Sequence, residues 1–374
     1  MSREERQQDK YYMRMALSLA RRGTGHTSPN PLVGCVLVKD SHVVGMGYHR
    51  QYGGPHAEVE ALERAGENAR ESTAYVTLEP CSHYGKTPPC APRLVREGIA
   101  RVVIGSRDPN PKVAGGGVNI LEEAGIRVTS GILEEECRRM NRGFFSWHLR
   151  GRSWVCLKGA LSLDGSIALE DGTSKWITGS RAREIGHLLR GEHDAILVGA
   201  GTVRSDDPQL TVRSVAGVSP VPVVMDPRLS LSPERAVFQA SRAVIASGIP
   251  KNPEERRHRE ERKKNFPPSV SFVELPEIAP GELDCEGLLH KLGEMGLLSV
   301  LIEGGAFVAS AFLRRHLVDQ VALFYGSRIL GRGLSFAEHL HLDSMEQAIH
   351  IASPEWRPMG DDFLLEGVPL CSRD

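Results

Sequence analysis

The sequence predicts an α/β protein with two domains, and three observations support this. The chain has 374 residues, which is long for one domain. Strand-like and helix-like segments alternate through the first half, which predicts a sheet layered with helices. A second series of strands begins at Ser153, after a basic, glycine-containing segment at 140–152. We therefore expect one domain at residues 1–150 and another at residues 151–374.

The first half contains four predicted helices and four predicted strands. Pro55 precedes the second helix, while the third has Pro92 in its first turn and Gly98 at its end, as is common at helix boundaries. In chain order the predicted elements are a helix at 9–22, strands at 34–38 and 43–48, a helix at 57–69, a strand at 74–78, a helix at 91–98, a strand at 101–105 and a helix near 119–124.

The second half is predicted from its apolar runs to contain further strands at 153–158, 195–198, 221–225, 243–246, 270–275, 299–302 and 321–325. The dense charge at 251–265 predicts a solvated surface helix or a mobile insert without a catalytic role. Glu303-Gly304-Gly305-Ala306 leads from a strand directly into a helix, so its amides could hold a pyrophosphate. The glycines at 199 and 201 are weaker support, and the absence of a Walker lysine motif argues against an NTPase.

Composition sets limits on location and partners. The formal net charge of −1 gives no general basic field for nucleic acid. Seven scattered cysteines, an odd number, argue against a disulfide framework and for a reducing compartment. The N-terminal residues are polar, and no apolar run reaches membrane-spanning length. We therefore expect a cytoplasmic protein that binds neither nucleic acid nor membrane.

Three short motifs predict a catalytic zinc site: Pro55-His56-Ala57-Glu58, Glu79-Pro80-Cys81 and Pro88-Pro89-Cys90. One histidine and two cysteines form a known ligand set for catalytic zinc, which keeps its fourth position open and lowers the pKa of bound water. Glu58 would carry protons instead of binding the metal. The order of residues follows the His-x-Glu and Pro-Cys-x-x-Cys pattern of zinc deaminases.

The motif departs from that pattern because eight residues separate Cys81 from Cys90. This insert predicts a loop beside the metal. His56 and Cys90 would both lie at helix starts, where partial positive charge favours a thiolate. Two alternatives remain open: the cysteines could be inert core residues, or His83 could be the fourth ligand of a structural zinc site. The combination of three ligands with Glu58 favours the catalytic site.

These residues resemble the RibD family, the bifunctional deaminase–reductases of riboflavin biosynthesis. The resemblance extends from about residue 10 to about residue 370, and the long Cys81–Cys90 loop is its most specific part. The matching segments are Ser28-Pro29-Asn30-Pro31-Leu32-Val33-Gly34, Pro55–Glu58, Glu79–Cys90, Asp108-Pro109-Asn110-Pro111, Ser162-Leu163-Asp164-Gly165, Lys175-Trp176-Ile177-Thr178, Asp206-Asp207-Pro208 and Glu303-Gly304-Gly305.

The resemblance implies a cytidine-deaminase-like three-layer domain followed by a dihydrofolate-reductase-like domain. The first would deaminate 2,5-diamino-6-(5-phosphoribosylamino)pyrimidin-4-one to 5-amino-6-(5-phosphoribosylamino)uracil with a zinc ion. The second would use NADPH to reduce the ribosyl group, giving 5-amino-6-(5-phosphoribitylamino)uracil. The implied partners are this phosphorylated pyrimidine and further copies of the chain, as a dimer or tetramer.

The resemblance also implies a role for individual residues. His56, Cys81 and Cys90 would bind zinc, with Glu58 as the catalytic proton carrier. The expected contacts of the deaminase substrate are Asn30, His49, His83, Lys86 and Thr87. The expected contacts of NADPH are Ala160, Trp176, Thr202, Asp206, Gly305, Ala306, Phe307, Val308, Ala309, Ser310 and Ala311. The expected contacts of the reductase substrate are Ser174, Arg190, Leu210, Arg213 and Glu303.

Elementary chemistry supports some of these roles. Lys86 suits a phosphate as a cation, and the guanidinium groups of Arg190 and Arg213 can clamp one through paired hydrogen bonds. From sequence alone, the favoured interpretation of Arg190 and Arg213 is that they are surface arginines, and His49 could be a strand-end histidine. Lys158 falls on the same strand face as Trp154 and Cys156, which makes it a candidate polar helper in the cofactor cleft.

Two other functions compete with this one. A deaminase acting on tRNA or a free nucleoside would not need the long cysteine loop or the second half of the chain. A non-catalytic, zinc-stabilised binding protein would have no use for an unliganded carboxylate at Glu58. Both features therefore favour the bifunctional enzyme.

Overall fold

A computed structural model describes residues 2–84, 87–111 and 113–370 of the chain. The chain divides into two compact units, Met1–Gly151 and Arg152–Asp374. Each unit combines one main sheet with helices on both faces. The predicted α/β fold class is therefore confirmed. Within the described residues, no helix has the length and apolar character that crossing a bilayer requires.

The first unit is a three-layer structure. Its sheet has the strand order β2-β1-β3-β4-β5, and β3, β4 and β5 run parallel. Helices α2, α3 and α4 pack on one face, and α1 and α5 pack on the other. The elements are α1 Arg3–Ala20, β1 Gly34–Lys39, β2 His42–Tyr48, α2 Ala57–Ala65, β3 Thr73–Leu78, α3 Cys90–Arg96, β4 Arg101–Ser106, α4 Gly116–Glu123, β5 Arg127–Ser130, α5 Glu134–Met140 and α6 Arg142–Arg150.

The second unit is built on a larger sheet. Its elements are β6 Trp154–Leu161, β7 Ser166–Leu169, α7 Ser180–Gly191, β8 Ala195–Gly199, α8 Ala200–Asp206, β9 Val221–Met225, β10 Ala243–Gly248, α9 Pro253–Lys263, β11 Val270–Leu275, β12 Glu277–Ala279, β13 Glu282–Leu283, α10 Cys285–Glu294, β14 Ser299–Ile302, α11 Ala306–Arg314, β15 Gln320–Tyr325, β16 Gly333–Ser335, β17 His350–Met359 and β18 Asp362–Leu370. Nine strands form the sheet, in the order β11-β10-β9-β8-β14-β6-β15-β18-β17. Strands β11 to β15 of that order are parallel, and the β17–β18 hairpin adds an antiparallel edge.

The predicted first and last residues of several strands match the structure. The predicted start of one helix was wrong, and other helices were not predicted. Helix α1 begins at Arg3, six residues before the predicted start, because the Ser2 hydroxyl caps it by accepting a 3.0 Å hydrogen bond from the Glu5 amide. Helix α6 occupies most of the segment at 140–152 that was expected to connect the two domains, and helix α5, which precedes it, was not predicted. The charged segment forms the surface helix α9, in agreement with one of its two predicted forms.

A buried ion pair joins α1 to the sheet of the first unit. The Arg101 guanidinium donates to both carboxylate oxygens of Asp9, at 2.8 and 2.7 Å. Tyr75 donates to the same carboxylate at 3.1 Å, and Arg101 also reaches Thr129. Asp9 is completely buried, so its charge depends on these partners for stabilisation.

This pair predicts a large effect on stability. Replacing Arg101→Met leaves the buried Asp9 carboxylate without its cation and should lower the free energy of opening of β3 and β4 by about 3–5 kcal/mol. Arg127→Met is the control, because the exposed Arg127 side chain pairs with Glu5 at the surface, where such pairs contribute at most about 1 kcal/mol. Native-state hydrogen exchange measures the free energy of opening in both variants. Equal, small effects of the two variants would contradict the assigned role.

Candidate active sites

The three predicted zinc ligands converge at one edge of the first sheet. His56 is the residue immediately before α2, Cys81 follows β3, and Cys90 is the first residue of α3. Their ligand atoms all lie within 4.8 Å of one another. The Nδ1 atom of His56 is 3.5 Å from the Cys81 sulfur and 3.3 Å from the Cys90 sulfur.

This arrangement fits a zinc ion with an open position. Nitrogen and sulfur ligands around tetrahedral zinc lie roughly 3.3–3.8 Å apart, given usual bond lengths. One imidazole and two thiolates also match the preference of zinc for nitrogen and sulfur. His83, the alternative fourth ligand, is exposed and does not belong to the group of ligand atoms in the described part of the chain. The geometry therefore favours three protein ligands.

Thr87 fixes the orientation of His56. Its hydroxyl lies 3.1 Å from Nε2 of His56, while Nδ1 faces the two sulfurs. If Nδ1 binds a metal, Nε2 carries the proton of the imidazole ring. Nε2 then donates a hydrogen bond to the Thr87 hydroxyl oxygen. Such a hydrogen bond on the far nitrogen sets the tautomer and raises ligand basicity. The sequence predicted Thr87 as a substrate contact, and that role stays a prediction; its contact with His56 was not predicted.

The surroundings of the sulfurs favour negative charge at Cys81. Hydrogen bonding from the Cys90 thiol, assisted by His56 and the Cys90 main chain, lowers the pKa of Cys81 to about 4. The Cys90 amide lies 3.3 Å from the Cys81 sulfur. The pKa of Cys90 is raised by its hydrogen bond to that thiolate and by burial. Negative charge is therefore stabilised at Cys81, and a bound metal would require both sulfurs as thiolates.

Glu58 lies in the first turn of α2 and is only 3% exposed. Burial raises the pKa of its carboxyl group to about 7. The carboxyl group interacts with the Cys90 thiol, so it borders the ligand group without belonging to it. This is the position that a proton carrier beside a metal requires.

Asn30 and His49 form a hydrogen-bonded pair beside the ligands. Nδ1 of His49 is 2.9 Å from the Pro55 carbonyl oxygen, so this nitrogen carries the proton. Nε2 then accepts a hydrogen bond from the Asn30 side-chain amide at 3.1 Å. The His49 ring lies edge-on to that of His56, with centroids 5.5 Å apart, and burial lowers the pKa of His49. A neutral His49 thus holds the Asn30 amide in place.

Two other expected substrate contacts in this unit are less informative. His83 is exposed. Lys86 lies outside the described residues, so its assignment remains a prediction from the sequence.

Sequence reasoning missed Glu79 as an organising residue. Its carboxylate accepts main-chain hydrogen bonds at 3.2–3.4 Å from four amides, those of Asp108, Gly115, Gly117 and Val118. A Cβ atom at Gly117 would lie 1.9 Å from the Pro80 carbonyl oxygen, so α4 approaches this segment closely. Glu79 therefore holds the loop after β4 and the start of α4 against the metal-ligand segment. The motif Glu79-Pro80-Cys81 was the feature of the sequence that could have pointed to Glu79.

The second unit contains a partly buried cluster of charged side chains at the end of β14. Glu303 forms a paired ion bridge with Arg190 of α7, with nitrogen–oxygen distances of 2.8 and 2.9 Å. The Lys158 ammonium of β6 lies 3.6 Å from the same carboxylate. Burial alone would raise the pKa of Glu303, but Lys158 and Arg190 lower it to about 2. Glu303 is therefore an anion held between two cations.

Arg190 has a different set of partners from the predicted phosphate clamp. Besides Glu303, its guanidinium donates to the Thr211 carbonyl oxygen at 3.0 Å. All three of its nitrogens thus have protein partners. Arg213 is exposed and forms no ion pair within the described ranges. The geometry leaves Arg213 as the better-placed cation for a phosphate.

The expected cofactor residues lie in several parts of the second unit. Gly305 and Thr202 are neighbours, because a Cβ atom at Gly305 would lie 3.8 Å from the Thr202 hydroxyl. Gly305 precedes α11, whose first amides lack helical partners, but the side chains of 308–311 face the core. Trp176 is 59% exposed beneath the Arg183 guanidinium. The remaining expected residues of this unit are the partly buried Ala160 and Ser174, the buried Leu210, the exposed Phe307 and Asp206, and Ala306 at the start of α11.

Comparisons with known protein families match both halves of the chain. The family model described as "Cytidine and deoxycytidylate deaminase zinc-binding region" matches residues 6–106, and "RibD C-terminal domain" matches residues 153–365. The chain is 41% identical to the riboflavin biosynthesis protein RibD of Escherichia coli, over 96% of this chain and 99% of that protein. It is 40% identical to RibD of Aquifex aeolicus, over 96% and 98%.

Solved structures give the same result. Acinetobacter baumannii RibD superposes with a TM-score of 0.87 at 38% identity, covering 98% of this chain and 99% of that one. The Thermotoga maritima protein described as a diaminohydroxyphosphoribosylaminopyrimidine deaminase and 5-amino-6-(5-phosphoribosylamino)uracil reductase gives 0.85 at 38% identity, covering 98% and 100%.

The ion cluster predicts a pH-dependent stability of the second unit. The pKa of Glu303 is about 2 in the folded chain and near 4.5 when unfolded, so its stabilisation is present above pH 4.5 and is lost toward pH 2. That difference corresponds to about 3 kcal/mol. The stability gap between wild type and Glu303→Gln, from denaturant unfolding, should narrow by about this amount as the pH falls. A gap independent of pH would contradict the ion-pair assignment.

Proposed function

The chain belongs to the RibD family of riboflavin-biosynthesis enzymes, a bifunctional deaminase and reductase, and we propose that its two units divide the reactions between two sites. The Met1–Gly151 unit removes the exocyclic 2-amino group of 2,5-diamino-6-(5-phosphoribosylamino)pyrimidin-4-one as ammonia. The Arg152–Asp374 unit then reduces the ribosyl group with NADPH. The single observation that carries the first assignment is the His56–Cys81–Cys90 group with Glu58 beside it.

In the first site, His56, Cys81 and Cys90 would hold the zinc ion, and Thr87 would fix the His56 tautomer. The bound metal supplies Lewis acidity and lowers the pKa of water. Glu58 takes one proton from the attacking water and delivers it to the ring nitrogen. It then takes the remaining proton of the added hydroxyl group and delivers it to the amine, which departs as ammonia as the carbonyl group forms. Its burial keeps solvent from competing for these protons.

Asn30 holds the pyrimidine ring in this site. Its amide is fixed by His49, which leaves the amide oxygen and the second N–H for the substrate. Lys86, from the cysteine loop, neutralises the phosphate as a cation on a flexible stem. His83, which is exposed on the same loop, contacts the substrate beside Lys86.

In the second site, the chain orients substrate and cofactor, and NADPH supplies the hydride. Glu303 is kept anionic by Arg190 and Lys158, so it accepts hydrogen bonds from sugar hydroxyls. Lys158, which lies on the neighbouring strand β6, donates a hydrogen bond to an oxygen of the sugar. Arg213 holds the substrate phosphate. This division gives Arg190 a positioning role and follows from the partners its guanidinium already has.

A paired assay tests the two-site assignment. Ammonia release and NADPH oxidation are measured with the diaminopyrimidinone ribotide for wild type, Glu58→Gln and Glu303→Gln. Glu58→Gln should lose deamination by roughly 10²–10⁴-fold, since its amide cannot carry the proton, and should still reduce supplied deaminated intermediate. Glu303→Gln should release ammonia normally and oxidise NADPH slowly.

Glu63→Gln is the matched control, because this carboxylate lies on the same helix but is 60% exposed. It should leave both activities unchanged. Failure of wild type to release ammonia from the ribotide, with release from tRNA or a free nucleoside, would overturn the proposed substrate and leave only the zinc chemistry.

A further inference from the structure

The segment that leads into α7 is held by two other parts of the second unit. The Gly179 amide donates a 2.6 Å hydrogen bond to the carboxylate of Asp362, a buried residue at the start of β18. A Cβ atom at Gly326, which follows β15, would lie 2.0 Å from the Ile177 carbonyl oxygen, so the chain after β15 packs directly against this segment. Neighbouring elements therefore fix the backbone at 177–179.

The same contacts relate this segment to the end of β6. The Gly326 amide donates a 2.7 Å hydrogen bond to the carbonyl oxygen of Leu161, the last residue of β6. Ala160, an expected NADPH contact, directly precedes Leu161. Trp176, another expected contact, directly precedes Ile177. Ala160 and Trp176 therefore belong to neighbouring segments at one edge of the sheet.

The Trp176 indole is 59% exposed and lies against a single guanidinium group. That group belongs to Arg183 of α7, and its central carbon is 4.5 Å from the centre of the indole ring. The same guanidinium donates a 2.8 Å hydrogen bond to the Thr178 carbonyl oxygen. Arg183 thus links the orientation of the indole to the fixed backbone beside it.

Arg183 differs from an ordinary surface arginine on the same helix. Arg181 is exposed and pairs with Glu184 at 3.2 Å, one turn away. Arg183 is partly buried and forms no ion pair with a carboxylate in the described part of the chain. Its contacts are instead the indole and a main-chain carbonyl oxygen.

A guanidinium over an indole ring restricts the ring. The cation is attracted to the electron-rich face of the indole, whereas an unsupported, exposed indole would exchange between several rotamers. Restriction before binding lowers the conformational entropy that is lost when a planar ring of a ligand packs against the indole. The contact with Arg183 therefore prepares Trp176 for an aromatic ligand.

We propose that Arg183 is a positioning residue of the reductase, which holds the Trp176 indole in the orientation that packs against a planar ring of NADPH. This inference rests on the proposed function of the second unit, in which Trp176 contacts the cofactor. Arg183 acts through the indole and has no contact of its own with NADPH. Asp362 fixes the backbone beside both side chains.

A double-mutant cycle tests whether Arg183 acts through Trp176. Calorimetry measures NADPH binding to full-length wild type, Arg183→Gln, Trp176→Ala and the double variant. Arg183→Gln should weaken binding by about 3- to 10-fold, the loss expected when one cation–π contact at a partly exposed site is removed. In the Trp176→Ala background, the same substitution should have no further effect, because the indole that Arg183 orients is absent.

Two variants control for the loss of charge. Arg181→Gln removes one cation from the same helix and should leave NADPH binding unchanged. Arg183→Lys keeps the charge and should retain part of the wild-type affinity, although an ammonium lacks the planar shape that stacks on the indole.

Fluorescence gives a signature of the indole itself. The chain has four tryptophans, so the part of the NADPH-dependent quenching that is lost in Trp176→Phe reports on Trp176. At saturating NADPH, Arg183→Gln should lose most of that part. Quenching by Arg183→Gln equal to that of wild type would overturn the inference, because the indole would then keep its orientation without the guanidinium.

The binding results separate this inference from the proposed function. Equal losses on Arg183→Gln in the presence and absence of the indole would overturn the inference, because Arg183 would then act independently of Trp176. Trp176→Ala that binds NADPH as tightly as wild type would also overturn it and leave the reductase assignment intact. Wild-type protein that binds no NADPH would overturn the proposed function as well.

Discussion

The parallel arrangement of strands is the constraint on which both sites depend. Parallel strands end at the same edge of a sheet, so the residues that follow them meet there. In the first unit, Glu79 and Cys81 follow β3, and helix starts supply His56 and Cys90 at that edge. In the second, Glu303 follows β14, and the segments proposed to bind the cofactor follow β8 and β14.

A buried carboxylate in the first unit and a partly buried one in the second then position the residues at each edge. Glu79 gathers four main-chain amides, which holds the loop after β4 against the segment carrying Cys81. Glu303 is held between Arg190 and Lys158. Each of these charges lacks the hydration it would have in water, so it must be matched by donors or cations at short range. The chemistry of both sites uses groups that these carboxylates hold in place.

The sequence predicted the fold class and the convergence of His56, Cys81 and Cys90, because ligand type and helix-start signals are local. It did not predict that Thr87 orients His56, or that Arg190 pairs with Glu303 from 113 residues away. Such contacts depend on how distant segments meet in three dimensions. The predicted start of α1 was wrong because the apolar pattern begins later than the helix does. The Ser2 hydroxyl caps the helix and so allows it to begin at Arg3.

The central claim is that the zinc site is open, with His56, Cys81 and Cys90 as its protein ligands. X-ray absorption at the zinc edge, on zinc-loaded wild type and His83→Ala, tests it most directly. The account predicts about two sulfur neighbours near 2.3 Å and about two nitrogen or oxygen neighbours near 2.0–2.1 Å, identical in both proteins. Loss of a nitrogen neighbour in His83→Ala, or a third sulfur in wild type, would show a closed structural site and contradict the account.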